Sequence, residues 1–93
     1  MKTVYKYDMP RSPGEVLRIP MVINSKILTI QEQHGCLKCW AQAEFDESIK
    51  KTYEVRKLII YYTGGPHRED YEQSYLCTVQ LNELLHHIYE VIE

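Results

Sequence analysis

Four groupings in this 93-residue chain have the residue types and spacing to do chemistry. Cys36-Leu37-Lys38-Cys39 is a CxxC, the spacing of two ligands of a tetrahedral zinc site, with His34 and Cys77 as further ligands within reach of the pattern. No second CxxC accompanies it, and residues three apart on a strand point to opposite faces, so structural thiols are the expectation. His86-His87 sets two imidazoles side by side, without an HExxH or an acidic cluster at metal spacing. One histidine packed inward and one facing out is the plain reading. No nucleophile motif surrounds the thiols or imidazoles, and the carboxylate pairs Glu44 with Asp46 and Glu69 with Asp70 fall in turns where solvation explains them. The chain therefore reads as a binding protein and not an enzyme, with no catalytic residue, metal or cofactor expected.

The third grouping is the loop Thr63-Gly64-Gly65-Pro66-His67-Arg68. Two glycines let backbone N–H groups approach an anion closely, Arg68 suits bidentate contact with a phosphate, and His67 offers a hydrogen bond. A hairpin turn that uses glycine only for its backbone angles is the plain alternative. The fourth is a set of amides around the single tryptophan: Gln31, Gln33, Trp40 and Gln42. Amides read the edges of a base and an indole stacks on its ring, although the same set also suits a protein interface.

Positioning these groups falls to strands. Ile27 to Phe45 reads as a hairpin reversed at His34-Gly35, and everything after it as further strands added to the same sheet. On its first arm Leu28 and Ile30 share a face opposite Ile27, Thr29, Gln31 and Gln33. On the second, Leu37, Cys39, Ala41, Ala43 and Phe45 form an apolar row opposite Lys38, Trp40, Gln42 and Glu44. Pairing the apolar rows leaves the glutamines and Trp40 on a shared outer face. Upstream, Thr3–Asp8 alternates as a strand, and Glu15–Ile19 is a short extended run stopped by Pro20. A turn at Asn24-Ser25 precedes the hairpin.

Downstream, Asp46–Lys51 is a charged turn and Thr52–Thr63 the longest strand-like run. Its alternation breaks near Lys57-Leu58, which predicts a bulge or burial on both faces. Tyr71–Leu81 resumes strand character, with Tyr75, Cys77, Val79 and Leu81 on one side and Thr78 and Gln80 on the other. For the last segment, Leu84, Leu85, Ile88, Val91 and Ile92 fall at helical spacing behind Asn82 as an N-cap. Read as a strand, the same segment puts Leu85, His87, Tyr89 and Val91 on one face.

Length and composition predict one small domain spanning 1–93, with no repeat or linker. Net charge −2 gives no general affinity for nucleic acid or an acidic membrane surface, although a local basic patch is compatible with that average. No segment has the length of a membrane span and the start lacks a signal-peptide core, so a cytoplasmic protein is expected. Three cysteines, an odd number, agree with reduced thiols.

The chain resembles a group of small bacteriophage and prophage proteins. The resemblance rests on Tyr5-Lys6-Tyr7, Ile19-Pro20, the run Ile27-Leu28-Thr29-Ile30-Gln31-Glu32-Gln33-His34-Gly35, and Trp40-Ala41. It continues through Thr63-Gly64-Gly65-Pro66, Thr78-Val79-Gln80-Leu81 and His86-His87-Ile88-Tyr89-Glu90. Departures are Glu32 at an apolar position, Cys77 where glycine is usual and His86 where tryptophan is usual. The resemblance implies a mostly β meander or sandwich of six to seven strands, ending in a strand and not a helix. It supplies no activity, but shifts expectation toward a phage accessory protein working in the host cytoplasm, for which an anti-defence role is the reading adopted. The expected function is a homo-oligomer that sequesters a small nucleotide-type immune signal. Thr63, Gly64, Gly65, His67 and Arg68 would serve the phosphate, and Trp40 with Gln31, Gln33 and Gln42 the base. The alternatives are an inhibitor of a host defence protein or a minor structural phage component.

Overall fold

Alternating apolar residues make the strands, and the tight reversals between them decide which strands pair. A computed structural model describes residues 1–92 of the chain. It contains β1 (Lys2–Met9), β2 (Val16–Val22), β3 (Lys26–Gln33), β4 (Cys36–Glu44), β5 (Tyr53–Tyr62), β6 (Gln73–Leu81) and β7 (Leu84–Val91). The fold is all-β. Two antiparallel sheets are formed, one ordered β1-β4-β3 and the other β2-β5-β7-β6. The sheets lie face to face, with β1 against β2 and β3 against β6.

The strands after the hairpin thus leave its sheet, contrary to the sequence reading. Both flanks of β4 are taken, by β1 and by β3. The inward row Leu37, Cys39, Ala41 and Ala43 needs a cover, and a second sheet supplies it. The crossing is made at the charged turn, where the Asp46 carboxylate accepts the Ser48 amide at 2.9 Å.

Two reversals carry the pairing. His34 and Gly35 have φ of 54° and 80°, and Asn82 and Glu83 have φ of 52° and 65°, the positive pair that a two-residue hairpin of type I′ demands. Asn82 therefore opens a turn and does not cap a helix. The segment after it, β7, is held on both sides, by β5 and β6.

Three further details differ from the alternation read off the sequence. A bulge between Ile27 and Thr29 turns Leu28 outward, 46% exposed, and brings Ile27 inward with Ile30. A second bulge, between Tyr75 and Cys77, moves Tyr75 to the face of Thr78 and Gln80. Strand β2 runs through Pro20 to Val22, because it is an edge strand and can bear a residue without an N–H.

Between the sheets, Met21, Ile30, Leu37, Leu58, Ile60 and Ile88 are fully buried, and truncating any one to alanine would cost about 2–5 kcal/mol. On the far side of the second sheet a smaller cluster joins Ile59, Tyr61 and Val91 to Val16, Tyr71 and Tyr89. The loop after β5 folds over this cluster. That cover explains why Leu58, Ile59, Ile60 and Tyr61 are all buried: the run is buried on both faces, with unbroken register to β2 and β7.

Candidate functional site

A glycine turn, two imidazoles and several tyrosine rings meet where the loop leaves β5. The Gly65 amide donates to the Tyr62 carbonyl at 3.0 Å, and Gly64 sits at φ 78°, which a side-chain-bearing residue adopts only with strain. The glycines thus close a turn. Beyond it the chain lies back on the sheet, and His67 stacks on Tyr61 with ring centroids 4.0 Å apart and planes at 20°. Tyr89 meets both rings edge-on, at 5.6 Å from Tyr61 and 5.0 Å from His67. The Tyr61 hydroxyl donates to Gln73 at 2.7 Å, and the Gln73 amide returns to the Arg68 carbonyl at 2.8 Å, fixing the loop at both ends.

His87 joins the loop to the sheet. Its Nε2 is 2.6 Å from the Thr63 hydroxyl, and its Nδ1 is 2.9 Å from the Thr78 hydroxyl, which in turn is 2.6 Å from the hydroxyl of Tyr75. The four groups form one hydrogen-bonded chain at the surface. Between it and the stacked rings is an open concavity of about 340 Å³, lined by Tyr61, Tyr62, Thr63, Gly64, Gly65, His67, His87 and Tyr89.

Arg68 is placed otherwise than a phosphate ligand needs. Its guanidinium donates to both oxygens of Asp70, at 3.1 and 2.6 Å, and lies over the Tyr71 ring at 4.6 Å. The hydrogen-bonded carboxylate raises the Arg68 pKa above its ordinary value, and the guanidinium lowers that of Asp70 in return. Arg68 fastens the loop to itself, through Asp70 and Tyr71, and does not line the concavity.

Gln31, Gln33, Trp40 and Gln42 do share an outer face, as the sequence reading has it. That face belongs to the first sheet and looks away from the second. Thr63, Gly64, Gly65 and His67 lie on the opposite outer side of the sandwich. One ligand cannot touch both groups within a single chain.

The CxxC divides across its strand. Cys36 faces out beside Gln33, whereas Cys39 is fully buried, and burial pushes its thiol up to about 11. Among the described residues no group of three or more His, Cys, Asp or Glu stands close enough to hold a metal. The histidine pair also divides: His86 is buried edge-on against Tyr62 at 4.9 Å, while His87 faces out. His87, Tyr61 and Tyr89 are the residues of this site that motif reading passed over. Their signal was the strand alternation that puts Leu85, His87 and Tyr89 on one face.

The geometry can hold a planar or anionic group between imidazoles, hydroxyls and aromatic rings. The chain belongs to the family described as Domain of unknown function (DUF7352), whose model matches residues 1–93. No curated protein and no solved structure matches it.

Proposed function

We propose that this member of the DUF7352 family is a non-catalytic binding module, a bacteriophage accessory protein that takes up a small nucleotide-type signal in the host cytoplasm. The observation that carries the proposal is the concavity of about 340 Å³ into which Thr63, His67, His87 and the rings of Tyr61 and Tyr89 converge. A few placed polar groups set among aromatic rings are what a small-molecule site requires. The aromatic and imidazole rings offer stacking surface to a base. The Thr63 hydroxyl, oriented by His87 Nε2, offers a hydrogen bond to a phosphate or ribose oxygen, and the His87 ring offers its face. Arg68 contributes by holding the loop closed.

The concavity is open, and on the same outer face of the second sheet Tyr75 and Leu85 are 55% and 45% exposed. A second copy packed there would close it, in keeping with a homo-oligomer whose ligand sits at the subunit boundary. The test is native mass spectrometry of the purified chain with a panel of cyclic and adenine nucleotides. Ligand mass in a fixed ratio to protomers is expected, and its loss in Thr63→Val and His87→Ala with unchanged circular dichroism. A chain that takes up nothing in the panel overturns the proposal. A host protein that co-purifies in fixed ratio, without ligand, would replace it with the inhibitor reading.

A further inference from the structure

Among the described residues, none covers the outer face of the first sheet. Its counterpart on the second sheet carries the loop after β5 and an apolar cluster beneath it. On the first sheet, Val4 and Leu28 are 52% and 46% exposed, and Trp40, the only tryptophan of the chain, is partly exposed at the middle of the central strand. Trp40 is flanked by Lys6 of β1 on one side and Thr29 of β3 on the other.

The charge of this face runs against that of the chain. Strand alternation points Lys2, Lys6, Lys26 and Lys38 outward here, with Asp8 and Glu44 as the carboxylates among them. Four of the chain's eleven Lys and Arg against two of its thirteen Asp and Glu give this face +2 and leave −4 for the rest. In a chain of net charge −2 this face therefore carries a small net positive charge around the one indole. Lys38 is neutralised by Asp8 at 2.5 Å, and Lys6 reaches across to the side-chain Oε1 of Gln33 at 3.0 Å.

We propose that this face is a docking surface for single-stranded nucleic acid. Lysines on the outer two strands attract the phosphates, the Trp40 ring stacks on an unpaired base, and Gln31 and Gln42 offer donors and acceptors to base edges. An acidic polypeptide would use the lysines alone and leave the indole and amides without a role. A duplex hides its base faces from Trp40. The net charge that excludes general affinity for nucleic acid is an average over two unlike surfaces, and this surface is the exception to it.

Trp40 is also its own reporter. The full chain is titrated with an unstructured pyrimidine 12-mer at low salt, following tryptophan fluorescence and, in parallel, the anisotropy of a labelled oligonucleotide. Quenching of Trp40 is expected, with affinity that falls as salt rises. Trp40→Leu should weaken binding at least about fivefold, the low end for losing one stacked base. Lys6→Ala and Lys26→Ala should each flatten the salt slope by about 0.7, whereas Arg11→Ala, an exposed cation off this face, should not. Absence of binding up to about 100 µM, the weak end of non-specific association, overturns the proposal. So does binding of a duplex or of polyglutamate as tight as the single strand, or affinity indifferent to Trp40→Leu in a folded variant. The outcome is independent of nucleotide uptake at the loop on the opposite side.

Discussion

Removing the Glu90 carboxylate should be the most damaging single change to a charged residue in this fold. Arg56 points into the sandwich from β5 and donates Nε to Glu90 Oε2 at 2.5 Å, one terminal nitrogen to Oε1 at 2.9 Å, and the other to the Ser25 carbonyl at 2.6 Å. Both side chains of the pair are only 19% exposed. The guanidinium thereby ties β5, β7 and the turn that leads into the first sheet. In Glu90→Ala it would stay in that position with the Ser25 carbonyl and, 3.9 Å away, the Glu54 carboxylate.

A fully buried pair broken on one side costs about 3–5 kcal/mol, and an exposed pair about 0–1 kcal/mol. One-fifth exposure and the residual Glu54 contact place this variant near 2–3 kcal/mol. For a domain of this size each kcal/mol moves the midpoint by about 4–8 °C, so the fall is about 10–20 °C. Thermal and urea unfolding at neutral pH measure it. The double variant Arg56→Met with Glu90→Leu removes both charges and fills the space, and should recover most of the loss. A Glu90→Ala variant within about 1 kcal/mol of the parent, or a double variant no better than the single, would refute the assignment of the pair as a buried fastening.

Two further outcomes follow from buried polar atoms. The Nε2 of His86 is buried without a hydrogen-bond partner, while its Nδ1 is 3.0 Å from the Leu84 carbonyl. His86→Phe should raise stability by about 1 kcal/mol in urea unfolding, since relief of the unpaired nitrogen outweighs one modest hydrogen bond, and a loss of that size would contradict it. For Cys39, burial first and the neighbouring Cys77 thiol second raise the pKa from 9.0 to about 11. The folded chain then holds this proton more tightly than the unfolded one, so its contribution to stability is complete below pH 9 and is lost as pH rises from 9 toward 11. The alkaline drop in unfolding free energy should be smaller in Cys39→Ala than in the parent, and equal drops in the two would count against the buried thiol.

Fold class was legible in this sequence because alternation survives in nearly every strand. What alternation cannot register is a single inserted residue. The bulge at Leu28 exchanges the faces of Ile27 and Leu28 in β3, and the bulge at Leu76 moves Tyr75 to the other face of β6; each shift is local and leaves no mark in composition. The last segment shows the opposite failing. Its helical spacing is real, but Asn82-Glu83 at positive φ fits a hairpin reversal, and pairing on both sides outweighs local propensity. The resemblance, and not the periodicity, pointed to the strand.

The sites divide along the same line. Which residues share a face was readable: the glutamines with Trp40 on one strand pair, His87 with Tyr89 on another. Which faces share a ligand was not, because that depends on how the sheets stack, and the chain changes sheet twice, after β1 and β2, before it leaves the hairpin for good. Arg68 marks the limit. Its type and its glycine neighbours suit a phosphate, yet two residues later Asp70 engages the guanidinium and Tyr71 lies beneath it, so its fork is already turned to an anion of its own loop. The motif-bearing loop therefore works as a clasp on its own sheet. The ring faces and hydroxyls beside it belong to His87 and the tyrosines it covers, while the lysine-bearing face and the indole lie on the other side of the sandwich.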